Sequence, residues 1–393
     1  SKYDISMLGV VTVVGGTYYG WNTSLEYGFG YYIIAVILVA TAFIIYCFCI
    51  SEITSAIPFS GGAYGLSRVA QGFYIGFIVG CCQALEYICY ASAAALFIAE
   101  QLCLLLDIDS RWELIFLFAF YATATTVYLN GNRALYYANI ILYALCILFP
   151  LVFFLSVWGK TNFVKYAALS DAQNDRQKWF AQGAGFMEFL KITPITAQAY
   201  GGIEALSSVV DEMRDARQDM AFGLISSVLT LFVIHVVLTF TVASLPPGLN
   251  VIAQTDLPMS YGFEIAWNVP RYVGTILLLP PQYAMGFGFI LPYAKLLHSF
   301  AQANLTPSWF MLTDQPTHHR AVVVTNIIGF GIGCILYSSA MLNKIILNTC
   351  VIFGVIVYIS QLHGYYVLST TYSSIKRSYR SPLGCLLYTS RRG

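Results

Sequence analysis

The sequence predicts an all-α membrane protein of ten transmembrane helices in two groups of five, with the first helix of each group interrupted. Three observations predict it. Of 393 residues, 58% are hydrophobic and only 10% charged, against roughly 25% charged in a soluble domain. Charge-poor windows recur ten times, and most reach the ~20 residues that cross a bilayer. The first and sixth windows carry glycine pairs inside stretches that otherwise read as membrane helix, where hydrocarbon offers freed backbone groups no partners.

The first five windows are 5–25, 27–51, 69–99, 114–132 and 134–159. After a polar loop the second five are 192–203, 220–255, 272–294, 321–343 and 345–375. The third runs past Glu86, and Leu245-Pro246-Pro247-Gly248 interrupts the seventh. The third and eighth helices are expected to extend beyond the membrane. This organisation gives one transmembrane core over 5–384, with repeat halves near 5–159 and 183–375. Residues 385–393 do not read as the start of an eleventh span and form a tail of uncertain origin. Because the chain opens on Ser1 with no signal-peptide pattern, it reads as a fragment or trimmed sequence.

Twelve of the 20 Lys and Arg fall on one side if the N-terminus is inside, and eight on the other. Five of those eight lie between Gly159 and Ile192, so the short loops favour a cytoplasmic N-terminus; the plasma membrane is the expected location. Net charge is +1, which provides no field for nucleic acid. The ten cysteines include no C-x-x-C pair and the five histidines no H-x-x-x-H, so neither a metal nor any other cofactor is expected. Gly72, Gly76 and Gly80 on the third span, and Gly329, Gly331 and Gly333 on the ninth, predict close helix packing. Pro58 and Gly61-Gly62 end a helix, and the charged stretch 211–219 reads as a solvated loop.

The breaks are where chemistry is expected. The first reads Val14-Gly15-Gly16-Thr17-Tyr18-Tyr19-Gly20-Trp21-Asn22, and the second Gln198-Ala199-Tyr200-Gly201-Gly202-Ile203-Glu204. A broken helix exposes carbonyls of one half and amides of the other at the same depth, matching an ammonium and a carboxylate respectively. Corresponding breaks in two halves are the sequence pointer to a transporter's substrate site. Candidate substrate-binding residues are therefore Gly15, Gly16, Thr17, Tyr19, Gly20, Trp21, Asn22, Tyr200, Gly201, Gly202 and Ile203. Glu86 and Glu204 are intramembrane acids, which mark pathways or partnered sites. Together with Tyr283, beside the Pro280-Pro281 disruption, they are the candidates for gating or coupling.

These residues resemble the amino acid-polyamine-organocation transporter superfamily, most closely its ethanolamine permease and amino acid permease branch. Gly16-Thr-Tyr-Tyr-Gly-Trp-Asn22 is similar to that branch's first-helix signature, with Tyr19 to Asn22 in the place of the superfamily's I-G-x-G. Ser51-Glu-Ile-Thr-Ser-Ala-Ile-Pro-Phe-Ser-Gly-Gly-Ala-Tyr64 resembles the loop after the second helix. Tyr200-Gly-Gly-Ile-Glu204 with Arg214-Asp-Ala-Arg-Gln-Asp219 resembles the sixth-helix F-x-G-x-E and its downstream pattern, and Tyr379-Arg-Ser-Pro-Leu-Gly384 the loop after the tenth helix.

The resemblance implies an inverted five-plus-five repeat working by alternating access. It implies that backbone near Gly20, Trp21 and Asn22 receives a substrate carboxylate or hydroxyl. Carbonyls near Gly15, Tyr200 and Gly201 would receive its amine. Ala216 stands where the family usually has proline, Cys146 lies near a position where some relatives carry lysine, and the usual eleventh and twelfth helices are lacking. The coupling ion, H⁺ or Na⁺, stays open. Neutral amino acids and ethanolamine fit equally, and the lack of an aspartate beside the breaks points away from dibasic substrates. The competing reading is a membrane nutrient sensor that binds without transporting; no catalytic motif supports an enzyme.

Overall fold

A computed structural model describes residues 2–58, 61–169, 174–181, 185–213, 215–255, 257–307, 309, 319–372 and 374–382. These residues form helices in the order α1 (Lys2–Val13), α2 (Phe29–Ala56), α3 (Ala63–Gln71), α4 (Phe73–Leu106), α5 (Glu113–Leu129) and α6 (Asn132–Val157). Next come α7 (Phe163–Tyr166), α8 (Asp175–Trp179), α9 (Phe186–Ala197), α10 (Ala216–Ala243), α11 (Leu249–Ala253), α12 (Pro258–Trp267) and α13 (Arg271–Gln302). The last are α14 (His319–Ser338) and α15 (Ala340–Thr370). Eight of them, α2, α4, α5, α6, α10, α13, α14 and α15, are long and apolar enough to cross a membrane. The tail 385–393 and Arg214 lie outside the described residues.

The first and sixth windows fold differently from the rest. α1 stops at Val13 and continues as 3₁₀ turns over Val14–Thr17 and Trp21–Tyr27, with Gly20 left-handed at φ 78° between them. α9 stops at Ala197 and resumes as the 3₁₀ segment Ile203–Glu212 after Gly202, left-handed at φ 95°. Only glycine adopts such angles without a Cβ penalty. α9 begins six residues before its charge-free window because Glu188 caps it, accepting the Gly185 N–H at 2.9 Å; Lys191 pairs with Glu188 one turn on, at 3.8 Å. α4 and α13, at 34 and 32 residues, are about 50 Å long at 1.5 Å per residue, against a ~30 Å hydrocarbon core.

α1, α2, α9 and α10 pack on one another, while α4 gathers α5, α13, α14 and α15 around itself. α13 also touches α1 and both 3₁₀ breaks, so it joins the two groups. Three local expectations need correction. Pro280 and Pro281 do not disrupt α13, which runs through them unbroken; the missing amides are absorbed inside a long, packed helix. Gly72 is not a packing residue but the left-handed corner between α3 and α4, at φ 94° with nothing near it. Gly331 also faces open space, whereas Gly76, Gly80, Gly329 and Gly333 do sit against neighbouring chain. Ala216 opens α10 without the family's proline.

Two loop motifs meet at the end of the bundle where α2 finishes. The Glu52 carboxylate pairs with the Arg377 guanidinium, and both side chains are buried. It also accepts from Tyr365 Oη at 3.1 Å and from the Ser381 N–H at 2.9 Å, while Arg377 donates to the Leu368 carbonyl at 2.9 Å. Ser55 Oγ bridges the Tyr379 N–H and carbonyl. The chain after α15 is thus stitched to α2 through a fully partnered carboxylate. Removing one partner of a buried ion pair costs about 3–5 kcal/mol. Arg377→Met is therefore expected to lower the unfolding temperature of detergent-purified protein by several degrees, and the Glu52→Arg/Arg377→Glu exchange to recover part of it. An unchanged midpoint in the single variant would show that the pair does not hold this segment.

Candidate functional site

The two breaks pack directly against each other. Gly16 approaches the Gln198 carbonyl and Ala199 so closely that a side chain there has no room. Backbone turns use up much of what the breaks expose: the Gly15 carbonyl accepts the Tyr18 N–H, Ala197 those of Tyr200 and Gly201, Tyr200 that of Ile203, and Gly202 that of Ala205. The Gly202 N–H donates instead to Tyr358 Oη on α15, at 3.1 Å.

One face of α13 lies along both breaks. Gln282 donates from Nε2 to the Gly15 carbonyl at 3.1 Å. Met285 lies against Gly15, and Phe289 against Gly202. Positions 282, 285 and 289 share a helix face by the i, i+3, i+7 spacing.

Glu204 and Glu86 come together beside the second break. Both are buried, and they lie close enough to interact electrostatically. Tyr46, Tyr87, Tyr90 and Tyr358 surround them. Neither Glu204 oxygen nor Glu86 Oε2 has a hydrogen bond of ordinary geometry among the described residues. No cation stands beside the pair among the described salt bridges. Two carboxylates in such surroundings require a proton, a cation or water.

On the side where α1 begins, a cavity of about 230 Å³ opens between α1, α6, the 203–212 segment and α13, lined by Asp4, Leu8, Asn139, Met213 and Leu291 among others. At the far end of the first break, α11 packs against the Trp21–Tyr27 segment. There Asn22 Nδ2 donates to the carbonyls of Ile252, Ala253 and Thr255 at 2.8, 3.3 and 2.6 Å, which caps the end of α11. The cavity lies against α1 and the 203–212 segment, which adjoin the breaks, and its lining includes no residue of 14–22 or 198–204.

Two helix interruptions packed against each other in a bundle of long apolar helices match what sequence comparison returns. The amino acid permease family's profile matches residues 5–389. The chain belongs to the amino acid permease family. It is accordingly a multi-pass membrane transporter and not an enzyme. It is similar to the methylthioribose transporter of Bacillus subtilis (strain 168), 22% identical over 410 residues, 97% of this chain and 83% of that protein. It is also similar to cationic amino acid transporters 1 and 7 (the latter chloroplastic) of Arabidopsis thaliana, at 21% and 20% identity over 87% and 78% of this chain. The permease spans 58% and 55% of the length of those two.

The predicted residues divide in the permease structure. Gly16 meets the second break at Gln198 and Ala199, while Gly15 lies against Met285, Gly201 near Tyr90 and Gly202 against Phe289; Ile203 is buried. Thr17 is fully buried and its hydroxyl has no partner among the described residues. Tyr200 is sandwiched between Phe43 and His235, with ring centroids 5.4 and 5.6 Å away, and Trp21 stacks on Tyr32 at 5.4 Å. Tyr19, 43% exposed, rests on Phe97. Two side chains do not belong to the junction. The Asn22 amide is committed to α11, and Tyr283 packs between α5 and α13, bonding Thr123 Oγ1 at 3.1 Å and touching Phe120. Sequence reasoning chose Tyr283 for its prolines and missed Gln282, one residue away on the face that meets the breaks. It also missed Tyr87 and Tyr90, although they follow Glu86 by one and four residues on the same helix, and Tyr46 and Tyr358, for which no local signal exists.

Gly20 and Gly202 offer a paired test. A left-handed L-residue costs about 1–2 kcal/mol, and at Gly20 nothing within 4 Å adds to that. A Cβ on Gly202 also meets Phe289, with Cε1 at 2.7 Å. Thermal unfolding is expected to show Gly202→Ala clearly less stable than Gly20→Ala; the reverse order would contradict the placement of Phe289 on the break.

Proposed function

We propose that the permease moves amino acids or small amines such as ethanolamine by alternating access, with H⁺ coupled through Glu86 and Glu204. The meeting of the two breaks at Gly16 and Gln198, beside a buried acid pair, carries this reading. Its ten spans comprise the eight continuous helices and the two broken ones, arranged as inverted halves over 5–159 and 183–375. The N-terminus is cytoplasmic and the membrane the plasma membrane. The cavity then opens inward, and Asn22 on α11 closes the outer side.

In this scheme the N–H groups that open the segment after Gly20 receive the substrate carboxylate or hydroxyl. The carbonyls at Gly15, Tyr200 and Gly201 receive the amine, and Thr17 and Tyr19 border the bound molecule. Helix ends serve both purposes because amides and carbonyls left by a break carry partial charges of opposite sign. The motif match at the first break favours the ethanolamine permease-like branch. The acid pair also supplies negative charge next to the second break, so the lack of an aspartate no longer argues against cationic amino acids, which the two plant relatives are named for.

Proteoliposome uptake of L-alanine, L-lysine and ethanolamine at two pH values, with and without sodium, tests the proposal. Uptake of at least one is expected to rise as the external pH falls, independently of sodium. Glu204→Gln and Glu86→Gln are each expected to reduce it severalfold and to flatten its pH dependence. Binding without counterflow would replace transport by sensing, and an unaltered pH profile in both variants would remove the acid pair from coupling.

A further inference from the structure

Gln282 holds the one contact through which a side chain from the α13 group reaches a carbonyl of the first break in the described residues. The Gly15 carbonyl stands just beyond the end of α1, at the negative end of that helix's dipole, where a positive charge is the favoured ligand. A carbonyl oxygen has two lone pairs. Here the Tyr18 N–H takes one and the Gln282 amide the other, both at 3.1 Å. Gln282 is 2% exposed, so the contact lies inside the protein and not on its rim. A neutral amide therefore fills a position whose electrostatics suit an ammonium.

We propose that Gln282 is a specificity-determining residue, a removable stopper that an incoming substrate ammonium displaces from the Gly15 carbonyl; this rests on the amine-transport reading above. An ammonium donating to that carbonyl makes a charge-assisted bond roughly twice as strong as the amide's. Displacement does not strand Gln282, because a carboxamide both donates and accepts. Once released from Gly15, its Oε1 accepts a second N–H from the same ammonium. The residue thus exchanges a donor's role in the empty site for an acceptor's role in the filled one. A solute of the same shape without an amine can do neither, since it leaves the Gln282–Gly15 bond unreplaced. Met285 fixes the geometry from the same face by packing on Gly15, so the choice is between two ligands of one carbonyl and not a free rearrangement of the break.

The test compares L-alanine, L-lysine and ethanolamine with L-lactate, the amine-free counterpart of alanine, by thermal-shift titration of the purified full chain. Gln282→Leu, which keeps the bulk and loses both polar atoms, is expected to weaken alanine about tenfold and to erase its preference over lactate. Gln282→Lys, which supplies its own ammonium to Gly15, is expected to weaken all three amines by about tenfold or more while sparing lactate. Gln282→Glu keeps the acceptor and removes the stopper, so amine affinity should be retained or increased. Alanine affinity within about twofold of wild type in both the Leu and Lys variants overturns the proposal. If those two variants do not yield folded protein, the near-isosteric Glu variant decides: a tenfold weaker amine affinity overturns it, and retained or tighter binding supports it. A wild-type protein that binds none of the amines fails the transport reading and this proposal together, whereas normal wild-type binding with unresponsive variants fails this proposal alone.

Discussion

Every backbone N–H and C=O inside a bilayer must find a partner within the protein, at several kcal/mol for each one that does not. The rest of this structure depends on how that constraint is met at two places where glycines stop a helix. Neither break is tolerable alone. Each is satisfied partly by its own 3₁₀ turns and partly by a side chain brought from outside, Gln282 of α13 at the first and Tyr358 of α15 at the second. The packing of Gly16 on the Gln198 carbonyl requires the missing Cβ as much as the turn geometry does. Glycine at these positions serves close approach at one residue and left-handed backbone at another, as at Gly20 and Gly202.

From that junction the division of the helices follows. α1, α2, α9 and α10 carry the breaks and their aromatic supports: Tyr200 lies between Phe43 on α2 and His235 on α10, and Trp21 lies against Tyr32. His235 also bonds Tyr32 at 2.8 Å, so one imidazole touches residues from both breaks and α2. The second group, centred on α4 and α13, meets the first chiefly through the 282/285/289 face and through Glu86. Freed backbone and the buried acids lie together where these groups touch.

Much of this was legible in the sequence, for physical reasons. Lipid enforces long charge-free windows, so eight spans could be read from composition alone, and the glycine pairs marked both interruptions. Glu86 and Glu204 were conspicuous because carboxylates are rare in such windows. Their nearness to one another was not, since no local pattern reports that α4 and the second break are neighbours. The side-chain directions of Asn22 and Tyr283 were not legible for a related cause: a residue's position beside a break or a proline pair does not say which way its side chain leaves the backbone. Asn22 turned to the carbonyl end of α11, 230 residues away, and Tyr283 to α5. Loop motifs carried information that only the fold could join: the 51–64 and 379–384 segments were each recognisable, but not that Glu52 of the first bonds the Ser381 N–H of the second and pairs with Arg377 just before it.

In the proposed transport cycle the backbone of both breaks holds the substrate at once. Hydrogen–deuterium exchange of the purified chain, with and without saturating L-alanine, L-lysine or ethanolamine, addresses it most directly, because it reads the amides themselves. A bound solute is expected to slow exchange in peptides covering residues 14–22 and 198–204 together, with smaller changes along the long helices. Protection confined to one break, or found only away from both, would contradict it.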